Sequence, residues 1–282
     1  MKTASRIHWS SLAFGALLSF GVAGTATAQD SCTPKHEGLQ TLEQGFIIPA
    51  VTILVPFSFM DANGKASGID GDILAEIAKM ECLEIKPQTV DTAAAIQSVI
   101  SKRADTTVGA WYRTEKRAEV VNLSAPLYVD QMSVWSKAGI DTMTGLEGKT
   151  VGTVQGNLWV TDVAAILGDS LMLYPNSVGM QQDLMSGRID AGLEGMGAAI
   201  AAMSAGGMEG MQIKPIQPDD RVGASQAAGQ ITFPLAKGND ALLAAFDDDI
   251  KELHESGKIA EILEKYGMSP SAADTGEARL LK

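Results

Sequence analysis

One stretch of this chain has a weak internal repeat. Ser98-Val-Ile-Ser-Lys-Arg-Ala-Asp105 returns as Asp183-Leu-Met-Ser-Gly-Arg-Ile-Asp190. Each copy runs from a helical pattern through Arg-x-Asp into a short apolar strand. An internal repeat of one supersecondary unit constrains a fold more than composition does. Around both copies, from Gln44 onward, short apolar runs alternate with helical stretches of about ten residues, the signature of βαβ units and a mainly parallel sheet. The repeat therefore predicts two related α/β lobes. Each presents the carboxyl ends of its strands, where ligands bind in such sheets, to a shared crevice.

The chain alternates in detail as follows. Phe46–Val55 reads as a buried strand, Gly71–Met80 as a helix capped by Asp70, and Leu83–Val90 as a strand. Thr92–Ser101 reads as a helix and Ala104–Val108 as a strand. Tyr128–Ser136 leaves the first lobe. The second lobe then reads strand Thr150–Val154, loop Gln155-Gly156-Asn157, helix Leu158–Leu167 and strand Leu171–Tyr174. Helix Val178–Ser186, strand Ala191–Leu193 and helix Gly197–Ser204 complete it. Gln230–Leu235 crosses back, and Asn239 caps a helix over Asp240–Ser256, followed by Ile259–Tyr266. The tail from Ser269 carries no pattern and reads as frayed. The predicted organisation is a leader at 1–28, one lobe from 29–128 and 232–282, the other from 129–231. Hinge crossings are expected near Tyr128–Gln131 and Gly229–Thr232.

Met1–Ala28 has the build of a secretory signal: Lys2 and Arg6, an apolar stretch Ser11–Val22, and Ala26-Thr27-Ala28 as cleavage site. The apolar run is short for a membrane span. Lys2 and Arg6 leave with the leader, so 22 bases fall to 20 against 34 acids, and the charge of −12 becomes −14. That balance argues against nucleic-acid and anionic-membrane partners. The two cysteines, Cys32 and Cys82, survive cleavage into an oxidising compartment, which predicts a disulfide between them.

The sharpest local signal is Gly109-Ala110-Trp111-Tyr112-Arg113-Thr114-Glu115-Lys116-Arg117. Thr114 is a fair N-cap for a helix reaching about Val121. Arg113, Lys116 and Arg117 then crowd the positive end of the helix dipole, where cations are disfavoured. Either an anion docks there on free N–H groups and one guanidinium, or the three cations point into water. No Cys/His spacing supports zinc, and there is no P-loop, G-x-S-x-G or G-x-G-x-x-G at a strand-to-helix turn, so neither cofactor nor metal is expected.

Small residues, a hydroxyl residue and T-x-x-R at that turn resemble the ligand loop of the solute-binding proteins of polar amino-acid ABC importers. Val55-Pro56-Phe57-Ser58-Phe59, Asp61, Gly64-Lys65 and Gly68-Ile69-Asp70-Gly71-Asp72-Ile73-Leu74 resemble that family's PPFSF-D-GK-GFDVDL run. The likeness covers roughly residues 40–267. It implies a type II periplasmic-binding-protein fold, a monomer, a small carboxylate-bearing ligand and an ABC permease as partner. It implies that Arg117 binds the ligand carboxylate, helped by backbone at Gly109 and Ala110 and by the loop Gln155, Asn157 and Leu158. The family's usual Ser or Thr is Tyr112 here. Its ammonium-binding Asp falls at Gly195, with Glu194 the nearest acid. Val51 and Leu54 stand where relatives often carry an acid and an aromatic, which argues against a cationic ligand side chain. Trp111 and Trp159 either wall the site or pack in the core. A rival implied by the same scaffold is an exported cyclohexadienyl dehydratase with Glu194 as general acid. Another is a sensor that docks on a receptor.

Overall fold

The computed structural model describes residues 32–281. The leader expectation falls on residues outside this range. The first five-stranded sheet starts with β1 (Pro49–Val51), whose three residues are all buried. The helix α1 (Ile69–Met80) follows and seats Ile69, Ile73, Leu74, Ile77 and Ala78 in the core, the 3–4 spacing of one helical face. Next come β2 (Gln88–Thr89), α2 (Thr92–Ile100) and β3 (Thr106–Val108). Then β4 (Trp111–Tyr112), α3 (Glu115–Val120) and β5 (Asn122–Leu123) close this part of the chain.

The chain continues through β6 (Val129–Asp130) and β7 (Met132–Ser136) into β8 (Val151–Val154), α4 (Val160–Leu167) and β9 (Leu171–Tyr174). It then forms α5 (Ser177–Ser186), β10 (Ala191–Gly195), α6 (Met196–Ser204) and β11 (Gln212–Pro215). It returns through β12 (Gly229–Thr232) and β13 (Pro234–Leu235), and ends with α7 (Asp240–Glu255) and α8 (Lys258–Lys265).

The first sheet is ordered β2-β1-β3-β13-β5, the second β9-β8-β10-β7-β11. In each, the three strands of the βαβ units run parallel, and the strands that arrive from a crossing run antiparallel. Between them lies a third, antiparallel sheet, β6-β12-β4, in which Val129 faces Gln230 and Tyr112 faces Ile231. The repeat is visible in space. β3 and β10, the strands after the two Arg-x-Asp motifs, hold corresponding places beside β1 and β8.

Several expectations need correction. Phe46–Val55 is two short strands, because β1 stops at Val51 and the chain turns away at Thr52. Leu83–Val90 is broken at Lys86-Pro87, since proline cannot donate to the ladder. Asp70 does not cap α1: the cap position is Gly68 and has no side-chain bond. The tail is not frayed. Leu281 N donates to Arg113 O and its carbonyl accepts from Glu115 N, both at 2.9 Å. Gln230 Nε2 donates to the carbonyls of Thr275 and Glu277, at 2.9 and 2.7 Å. The disulfide is present: Cys32 and Cys82 are bonded and no cysteine is free. No helix among the described residues is long and apolar enough to cross a membrane.

Candidate functional site

The site is built on the turn between β3 and β4. Asp70, fully buried, sends one carboxylate oxygen to the N–H groups of Gly109 (2.8 Å) and Ala110 (2.7 Å) and the other to the Tyr128 hydroxyl (2.5 Å). These bonds hold Ala110 at φ 55, a left-handed conformation that a non-glycine residue rarely adopts and that local bonding must enforce. Thr114 caps α3 as expected, accepting from Arg117 N at 3.1 Å. The carbonyl of Leu281 takes the N–H of Glu115. The N–H groups that an anion would use at Gly109, Ala110, Glu115 and Arg117 are therefore already satisfied, and the charge for an anion falls to the guanidinium.

Arg117 lies with its guanidinium carbon 4.8 Å from the centre of the Trp111 ring, and Nη1 donates to Tyr112 O at 2.8 Å. Burial lowers its pKa to about 10, and no carboxylate among the described residues opposes that shift. Arg113 departs from the solvent-facing alternative. Its Nη1 donates to the carbonyls of Leu123 (3.2 Å) and Ser124, so it locks the loop after α3.

A cleft of about 560 Å³, counting its open mouth, lies between these residues and the ends of β8 and β10. Its wall on the first side includes Leu54, Gly109, Ala110, Trp111, Tyr112 and Arg117. On the other side it includes Asn157, Leu158 and Glu194. Gln155 is the expected residue that the structure leaves out: it is exposed, and its N–H is bonded to Tyr174 O at 2.8 Å. Val51 is core, without exposure. Both tryptophans are wall and core at once, more than nine-tenths buried and lining the cleft. Their indole N–H groups donate to the hydroxyls of Thr107 in β3 and Thr153 in β8.

Three buried carboxylates surround this cleft, and Asp70 only organises its loop. Glu194 accepts from Ser177 Oγ (2.7 Å), Asn157 Nδ2 (3.1 Å) and the Gly195 N–H (3.4 Å); burial raises its pKa against these three donors. Asp130 accepts from the Gly197 N–H (3.0 Å) and the Tyr112 hydroxyl (3.1 Å), and burial pushes its pKa up to about 7. Sequence reasoning missed Asp130, Ser177 and Phe57 in this wall. Asp130 sits in a crossing strand with no local pattern to mark it. Away from the cleft, His36, Glu81 and Asp249 place one ligand atom each within 4.8 Å of one another. The Lys35 ammonium, 3.1 Å from Asp249 Oδ1, already supplies a cation there.

An α/β molecule with two five-stranded sheets, joined by crossing strands beside a charged cleft, has the type II fold of periplasmic binding proteins. The chain belongs to the bacterial extracellular solute-binding proteins, family 3, whose model matches residues 50–269. It is 27% identical to the lysine/arginine/ornithine-binding periplasmic protein of Escherichia coli K12, over 76% of this chain and 84% of that one. It is 26% identical to the L-cystine-binding protein TcyJ of the same organism, over 75% and 78%. Among solved structures it is similar to an ancestral arginine-binding protein bound to arginine, with TM-score 0.69, 25% identity and coverage of 79% and 98%. An arginine-, lysine-, histidine-binding protein from Geobacillus stearothermophilus gives TM-score 0.71 at 20% identity, covering 82% of this chain and all of that one. The family and these relatives are binding proteins.

Proposed function

We propose that this protein captures a small zwitterionic amino acid or close derivative in the periplasm, after loss of residues 1–28, and delivers it to an ABC permease. The observation that carries this is a partly buried guanidinium, Arg117, with no carboxylate partner among the described residues, in a cleft that also holds buried acids. A bidentate carboxylate is the ligand group that such a fork fits. Gly109, Ala110, Trp111, Tyr112 and Leu54 form the first-lobe wall, and Asn157, Leu158 and Glu194 close over the ligand from the second. Residues 29–128 and 232–282 act as one lobe and 129–231 as the other, as a monomer. The relatives named for arginine and lysine do not carry their ligands over, because Val51, where relatives often carry an acid, offers none to a cationic side chain.

Glu194 as a general acid supports a dehydratase reading, since its pKa is raised. Its three donors, however, favour the carboxylate form, which suits binding better than proton delivery. The deciding experiment is a thermal-shift screen of the secreted protein against the common amino acids, with an absorbance assay on prephenate and arogenate alongside. A ligand at 100 times its Kd should add about 2.7 kcal/mol of stability. Stabilisation by no amino acid, or turnover of either dehydratase substrate, would overturn the reading.

A further inference from the structure

The family's acid position is empty at Gly195, yet Gly195 has the ordinary angles φ −65 and ψ 148. Its missing side chain is not demanded by conformation. It is demanded by space: a Cβ there would fall well under 3.0 Å from Asp130 Oδ2. The carboxylate of Asp130, 4% exposed, thus fills the volume that a side chain at 195 would need, while both residues line the cleft. A second glycine shows the same exchange. At Gly229 a Cβ would come 2.6 Å from the Tyr112 ring, so that glycine makes room for the large residue whose hydroxyl bonds Asp130.

Resting on the amino-acid reading above, we propose that Asp130, from the crossing strand β6, is the acid that takes the ligand's ammonium group. Both acids accept from the protein on both oxygens, Glu194 from Ser177, Asn157 and Gly195 and Asp130 from Gly197 and Tyr112, but one donor to Asp130, the Tyr112 hydroxyl, itself lines the cleft and can turn to a ligand with it. The hydroxyl of Tyr112 gives its proton to Asp130 and keeps lone pairs with which it can accept from an ammonium. Asp130 and Tyr112 together thus offer a carboxylate and an acceptor to one cation. Without a cation the charge at Asp130 is poorly tolerated, which agrees with a pKa lifted to about 7. The titratable groups facing it are Tyr112 from β4, Tyr128 just before β6 and Glu194 from β10. Burial raises all three, so both tyrosines stay neutral through this range.

The test uses any amino acid that stabilises the wild type, beside its 2-hydroxy-acid counterpart, which keeps the carboxylate and lacks the ammonium. Asp130→Asn should weaken the amino acid about thirtyfold or more and the hydroxy acid less than about threefold. The double change Asp130→Ala with Gly195→Asp, which moves the acid to the other backbone position, should recover part of the loss. Wild-type affinity for the amino acid should rise from about pH 5 to about pH 7 and level off above, as Asp130 ionises. This profile needs no variant, so a poorly folded Asp130→Asn does not stall the test. Equal losses for both ligands, amino-acid binding within about threefold of wild type, or a flat wild-type pH profile would overturn the assignment and leave the amino-acid reading standing. A wild type that binds no amino acid would instead fail that reading, and this assignment with it.

Discussion

The two arginines that flank Thr114 have separate tasks. Arg117 faces the cleft and no acid among the described residues neutralises it, whereas Arg113 reaches the backbone carbonyls of Leu123 and Ser124. Arg117→Ala should therefore cost about 2–5 kcal/mol of binding, the usual penalty for truncating one partner of a buried charged pair. It should leave the melting curve nearly in place. Arg117→Lys should recover only part, because a point charge cannot reproduce the planar fork. Arg113→Ala should do the reverse: it should lower the melting temperature and change affinity little. Calorimetry and thermal melts on the three variants check both halves. If Arg117→Ala binds within about threefold of wild type, the anion site lies elsewhere.

At the scale of elements, the ends of the chain are fastened by charge and by backbone. The N-terminal segment lies against α1 and α7: His36 Nδ1 is 2.5 Å from Glu81 Oε1, and Lys35 Nζ is 2.8 Å from Asp248 and from Glu252. Two shifts there share a sign. The hydrogen bond to Glu81 raises His36, so its contribution is complete below the ordinary histidine value and is lost as pH rises through the folded one. Burial raises Asp249 to about 7 from 3.8, so the folded state holds its proton over that interval and loses stability as pH climbs through it. The fall in melting temperature between about pH 5 and pH 8 should therefore be smaller in the double variant His36→Asn with Asp249→Asn. A profile parallel to wild type would remove these groups from the account.

The C-terminal tail makes a comparable prediction. It clasps both the loop of Arg117 and the crossing strand β12, since Gln230 accepts from Arg279 N at 2.8 Å and donates to two tail carbonyls. Deletion after Asp274 removes these bonds, each worth roughly 0.5–1.5 kcal/mol net. It should lower the melting temperature by several degrees, at about 2–4 °C per kcal/mol for a chain of this size. It should also weaken binding, because the N–H of Glu115 loses its partner at the base of the site. An unchanged melt would show that the tail only lies on the surface.

These elements also show what a sequence can and cannot disclose. The alternation of strands and helices, the Thr114 and Asn239 caps and the Arg117 turn were legible, because each rests on neighbours within a few residues. Asp70 was misread as a cap because its position suited a local role, whereas its partners Gly109 and Ala110 lie 39 and 40 residues away. Gly195 read as a lost acid. The compensating Asp130 could not be found, because it arrives from another strand and only packing brings the two together. The tail gave no periodic signal, since it is held by backbone bonds to distant residues rather than by an apolar face.

At the scale of the molecule, the cleft is shared. Arg117 and Tyr112 stand on the first sheet's side, Asn157 and Glu194 on the second, and Asp130 on a strand that joins them. Among the described residues the chain crosses between the two sheets through β6 and β12, which pair Val129 with Gln230 and Asp130 with Gly229. The hinge reading expects this antiparallel ribbon to bend through small changes spread over few residues, with each five-stranded sheet moving as a unit. A ligand that bridges both walls favours the closed arrangement by its extra contacts there, and one that touches a single wall does not. Asp130, sitting in the ribbon itself, would meet the ammonium in either arrangement and need not travel with the second lobe. Small-angle scattering should accordingly show the radius of gyration falling when the stabilising amino acid is added to the wild type. Arg117→Ala at the same ligand concentration should stay expanded. Identical curves for the wild type with and without ligand, at a concentration where calorimetry shows saturation, would mean a rigid cleft. Recognition by the permease would then have to rest on something other than closure.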